Sequence, residues 1–127
     1  MSDHLVESYD KQLELINSNL VKMGGLVEQQ VKDSLKALDE KDTEFAEEIL
    51  KKDDKIDNLE KDIYALAYKI IAMRQPMAND LRTVVSALSI ANDLERMGDH
   101  ATNVAKRVAN VKAVSYTHLR AHETQLH

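Results

Sequence analysis

The sequence predicts an all-α fold, an antiparallel up-down-up bundle of three long helices. Two observations carry this. Apolar residues recur at steps of three or four along most of the chain, the period of an amphipathic helix. Breakers are scarce: one proline and three glycines in 127 residues, with aromatics at 4%, a composition that argues against a β sandwich. The apolar share of 43% suffices for a core, and the charged share of 31% is mixed in sign, which argues against disorder.

The first helix is expected over residues 3–38. Leu5, Tyr9, Leu13, Ile16, Leu20, Met23, Val27, Val31, Leu35 and Leu38 form its stripe. Gly24-Gly25 interrupts the helix formers, marking a kink or the close approach of another helix. Asp39 to Thr43 breaks the pattern, with Asp42 or Thr43 as N-cap of the next helix and Glu44 in its first turn. That second helix is expected over 43–74, on Phe45, Ile49, Ile56, Leu59, Ile63, Leu66, Ile70 and Met73, with a gap in the stripe at Lys52. Arg74-Gln75-Pro76 ends it, because proline disfavours helix in the residue before it and suits the first turn of a new one. The third helix is expected over 76–112, with Asp80 in its first turn. It is apolar on two adjoining faces, and Ala91, Gly98, Ala101, Thr102 and Ala105 are small enough for close packing. At 1.5 Å per residue each helix is roughly 45–55 Å long. Matched lengths and short links imply antiparallel neighbours.

Residues 1–113 thus read as one three-helix unit. The composition shifts at Ala113, and Val114 to His127 carries three of the five histidines with no continuing stripe. We read 114–127 as a tail that is non-native or disordered. His118 and His122 are one turn apart, but a pair without a third ligand is weak as a zinc site.

Charge and composition exclude several classes. Lys plus Arg is 17 against 22 Asp plus Glu, a formal net charge of −5, which disfavours nucleic acid as a partner. There is no cysteine, so disulfides, thiolate zinc sites and a cysteine nucleophile are out. No apolar run approaches ~20 residues, so no helix is expected to span a membrane. The acidic, polar start is not a signal peptide. No Glu-x-x-His, phosphate-cradling glycine loop, Gly-x-Ser-x-Gly or His-Glu-x-x-His occurs, and Ser86 and Ser89 have no evident base.

The carboxylates are the informative polar residues. Asp53, Asp57 and Glu60 share a strip on the second helix, and Glu95 and Asp99 are one turn apart on the third. A hairpin folded about residues 73–77 sets Asp53 level with Met97, Asp57 with Asp93, and Glu95 and Asp99 with Lys55 and Lys51. Asp53, Asp57, Glu95 and Asp99 then lie within about one turn of each other. The turn near residues 40–41 brings Glu28 and Gly24-Gly25 to the same height. Oxygen ligands on facing helices are how bundles bind hard metal ions. The alternative is a solvated flank paired with Lys51, Lys55 and Arg96. His100, beside Asp99, is either a partner to a ligand or a surface residue.

Two strings go further. Arg74-Gln75-Pro76-Met77-Ala78-Asn79-Asp80-Leu81-Arg82 and Asp93-Leu94-Glu95-Arg96-Met97-Gly98-Asp99-His100-Ala101-Thr102-Asn103-Val104-Ala105 stand in order. With Asp53–Glu60 and Met23-Gly24, they resemble the PhoU family over about residues 5–113. The resemblance implies the first of two similar three-helix repeats. It implies motif positions at Arg74, Pro76, Asp80, Arg82, Arg96 and Gly98. It matches the family's Glu/Asp-x-x-x-Asp metal motif to Asp53/Asp57 and Glu95/Asp99, with Glu28, Glu60 and His100 as weaker candidates. It implies a multinuclear metal cluster, iron or zinc ahead of manganese or magnesium, and no organic cofactor. It implies a cytoplasmic, non-enzymatic regulator of phosphate uptake and of the phosphate-starvation response, negative when phosphate is plentiful. Its partners would be a sensor histidine kinase and the ATPase subunit of the phosphate ABC transporter. It would be a homodimer, meeting the membrane only through partners. Two other readings are a carboxylate-bridged metal enzyme and a purely structural bundle.

Overall fold

A computed structural model describes the backbone of residues 2–126 and the side chains of residues 8–111. Four helices form three legs. α1 is Ser2–Glu40, α2 is Thr43–Lys51, α3 is Asp54–Arg74 and α4 is Ala78–Leu126. α2 and α3 together make the second leg.

Each junction has a local cause. Lys41 takes a left-handed backbone (φ 55°), and the Asp42 amide donates to the Ala37 carbonyl at 2.9 Å, a five-residue closure typical of helix ends. The Asp42 carboxylate then caps α2, accepting from the Phe45 amide at 3.0 Å, the first of the two candidates the sequence offers. Gln75 is also left-handed (φ 47°) and stops α3. α4 opens after Pro76, with the Leu81 amide donating to the Met77 carbonyl, two residues later than expected.

The expected second helix is broken at Lys52-Asp53. The amides of Lys52, Asp53, Lys55 and Ile56 each donate to the carbonyl three residues back, a tightening toward 3₁₀ geometry. The stripe explains it. Between Ile49 and Ile56 the core-facing position falls to Asp53, a residue that must keep polar company.

The legs run up, down, up. Arg74 near the end of α3 donates to Gln12 and Ser8 near the start of α1 (3.1 Å each), whereas Gln30 pairs with Asp53 at α3's other end, so these legs are antiparallel. Gln30 also meets Gly98 and Thr102, which sets α4 parallel to α1. One core joins Ile16, Met23 and Val27 of α1 to Ile56, Ile63, Ala67 and Ile70 of α3 and to Val84, Ala87 and Ala91 of α4. A smaller one joins Ala37, Ala46, Ile49, Ala105 and Val108.

Three further differences from the sequence reading stand out. α1 runs unbroken through Gly24-Gly25, and a Cβ at either would meet nothing within 4 Å, so no helix comes close there. The close approach is at Gly98, where a Cβ would lie 3.3 Å from Ile56 Cδ1. Beyond Val27 the buried face of α1 is Gln30, Ser34 and Ala37, while Leu35 is 55% and Leu38 52% exposed. α4 continues past the expected end at 112, through the 114–127 segment as far as Leu126. The side chains there, including the His118–His122 pair, lie outside the described residues. Among the described residues no helix is long and apolar enough to cross a membrane.

Candidate metal centre

α3 opens at the break, so its first turns present Asp53, Asp57 and Glu60 along one side, facing Glu95 and Asp99 of α4. Carboxylate oxygens of Asp53, Asp57 and Asp99 lie within 4.8 Å of one another, with Asp53 and Asp57 half-buried and Asp99 exposed. One oxygen-liganded divalent cation, bound at about 2.0–2.6 Å, spans such a spacing.

The remaining two carboxylates sit against this trio. Glu95 is pushed up to about 7, chiefly by a hydrogen bond to the Asp99 carboxylate, then by burial and by the charges of Asp99, Glu60 and Asp57. The protonated Glu95 is the donor in that bond. Burial raises Asp57, helped by the charges of Asp53 and Asp99 and opposed by Lys61. Burial likewise raises Glu60, helped by Asp57 and Asp99. The cluster therefore holds more negative charge than its surroundings neutralise.

The expected cations do not supply the balance. Among the described residues the only ion pair is Glu28–Lys32 at 3.0 Å, so Lys51, Lys55 and Arg96 make no salt bridge with the acids. That pair also accounts for Glu28. It is exposed and turned to its own helix neighbour, outside the trio. His100 lines a separate groove between α1 and α4, with Val31, Ser34, Leu35, Met97, Ala101 and Val104. None of the acids lines that groove.

The α1 residue that reaches the cluster is Gln30. Its Nε2 lies 3.1 Å from Asp53 Oδ1 and 2.7 Å from Thr102 Oγ1, and the Thr102 hydroxyl donates to the same Asp53 oxygen at 2.9 Å. The sequence reading missed Gln30. Its signal was the phase Met23, Val27, Gln30, Ser34, Ala37, which also advances by three or four.

The motif residues have structural posts. Arg74 ties α3 to α1 through Gln12 and Ser8. Gly98 admits Ile56. Pro76 and Asp80 are half-buried, and Arg82 and Arg96 are exposed.

Comparison with known proteins places this arrangement. The PhoU domain profile matches residues 20–108, a span that includes all five acids. A phosphate-specific transport system accessory protein PhoU homolog of Caulobacter vibrioides is 41% identical over 107 residues, covering 84% of this chain and 46% of that protein. One from Clostridium acetobutylicum is 43% identical over 101 residues, covering 79% and 46%. The crystal structure of PhoU from Pseudomonas aeruginosa superposes with a TM-score of 0.78 at 41% identity, over 81% of this chain and 49% of that one. The chain spans about half the length of the relatives it matches.

Proposed function

The chain belongs to the PhoU domain family, and on that premise we propose that it serves as a metal-binding accessory unit of a phosphate-specific transport system. It restrains phosphate uptake and the starvation response when phosphate is plentiful. It works in the cytoplasm, as a homodimer, as an adaptor between the transporter's ATPase subunit and a sensor histidine kinase. What supports the transport role is the name its relatives carry at 41–43% identity. What supports the metal is the trio of carboxylate oxygens within 4.8 Å of one another, short of neutralising cations.

Asp53, Asp57 and Asp99 would hold the ion, and Glu60 and Glu95 would be candidates to hold a second. A bound cation supplies the positive charge that the acids lack and ties α3 to α4. The residues themselves orient the oxygens, and Glu95, whose carboxyl is raised to about 7, would have to release its proton to serve as a ligand. An all-oxygen donor set suits manganese and magnesium, whereas the family resemblance put iron or zinc first. Among the described residues no histidine joins the acids, which weighs against the enzyme alternative. The purely structural alternative leaves their excess charge unanswered.

Elemental analysis of the purified, untagged chain beside an Asp57→Ala/Glu95→Ala double variant tests the metal. Stoichiometric metal in the parent, lost in the variant, is expected. Its absence from the parent would overturn the metal reading. For the adaptor role, a full-length protein carrying this unit should bind the transporter ATPase and the kinase in a phosphate-dependent way. Failure to bind either would sink that part.

A further inference from the structure

We propose that Gln30 and Thr102 are positioning residues for the Asp53 carboxylate, holding one of its oxygens so that the other is free to meet a cation. This rests on the metal-binding reading and deepens it.

Gln30 and Thr102 are 6% and 5% exposed. Gln30 Nε2 lies within 2.7–3.1 Å of Asp53 Oδ1, the Gly98 carbonyl oxygen and Thr102 Oγ1. Thr102 Oγ1 in turn lies 2.9 Å from the same Asp53 Oδ1 and 2.9 Å from the Gly98 carbonyl oxygen. An amide offers two protons and a hydroxyl one. Three protons thus serve five contacts, and the charged carboxylate oxygen draws one from each donor, which leaves the second Gln30 proton to the Gly98 carbonyl or to Thr102 Oγ1.

Both donors converge on Oδ1. An oxygen that accepts two hydrogen bonds has used its lone pairs, so Oδ2 is the one left for an ion. Gln30 belongs to α1, Thr102 to α4, and Asp53 to the break between α2 and α3. The orientation of one ligand is therefore fixed by the two legs that do not carry it. Neutral donors behind a ligating carboxylate are worth about 10–100-fold in metal affinity.

The test is a titration of the chain with Mn²⁺, read by calorimetry and by the electron spin resonance of the bound ion. The parent is compared with Gln30→Leu, Thr102→Val, Thr102→Ser and Asp53→Asn. We expect Gln30→Leu and Thr102→Val to keep the parent's helical circular dichroism yet bind Mn²⁺ about 10–100-fold more weakly, with an altered resonance. Thr102→Ser keeps the hydroxyl and should restore both affinity and spectrum. A merely structural threonine would not show that rescue. The smaller Thr102→Ala replaces the valine variant if valine disturbs packing. Parental affinity in Gln30→Leu and Thr102→Val, with binding lost in Asp53→Asn, would overturn the positioning role and leave the metal reading standing. A parent that binds no Mn²⁺ would overturn both.

Discussion

Glu95 gives the molecule a pH dependence whose sign can be worked out. Its carboxyl rises from 4.5 to about 7 in the fold, so the folded state holds the proton more tightly than the unfolded chain. Its contribution to stability is full below about 4.5 and is lost as pH rises to about 7. The metal-free chain should therefore lose stability over that interval, as followed by urea unfolding. Glu95→Gln should flatten the profile and melt higher than the parent at pH 8. Cation binding runs the other way. An entering ion expels the proton, so apparent Mn²⁺ affinity should fall as pH drops below about 7, by up to about tenfold per unit. A titration at constant affinity between pH 5.5 and 8 would contradict this. The acids were legible because i, i+4 spacing and hairpin geometry are local rules. Gln30 was not. It is a polar residue in a core-facing phase, and a step from Val27 to Val31 obeys the helical period as well as a step to Gln30 does. Only the position of Thr102 and Asp53 decides between them.

At the scale of the element, α2 begins where capping chemistry places it. Asp42 caps α2 through the Phe45 amide, and Asp42→Ala should cost about 0.5–2 kcal/mol in chemical denaturation. Ile63 is fully buried in the larger core, and Ile63→Ala should cost about 2–5 kcal/mol. Gly98→Val forces side-chain carbon against Ile56, already 3.3 Å from where a first Cβ would stand, and should cost about 1–3 kcal/mol. The break at Lys52-Asp53 was half legible. The gap in the apolar stripe was plain, but spacing alone does not distinguish a solvated gap from a polar residue drawn inward. The Gly24-Gly25 pair misled for a related reason. Glycine permits close approach without requiring it, and the small side chains of α4 supply the contact instead.

At the scale of the whole molecule, the all-α bundle and the order of its legs were legible because length, turn placement and the apolar period agree. The phase of α1 beyond Val27 was not: Leu35 and Leu38, on the expected stripe, lie half-exposed, with Leu35 lining the Met97–Val104 groove. The polar contact of Gln30, Asp53 and Thr102 lies between two apolar clusters. One draws on large side chains such as Ile16, Met23, Ile63 and Ile70. The other is largely alanine, with Ile49 and Val108. Cooperativity depends on apolar contact continuing from one end to the other, and here it is interrupted. The two ends should therefore open as separate units. In native-state hydrogen exchange, amides of α2 and of α1 beyond Ser34 should exchange through an opening of lower free energy than those of α3 around Ile63. A dication at the acids should slow exchange in early α3 more than in α2. The seam that orients a ligand would thus also be the line along which the bundle comes apart.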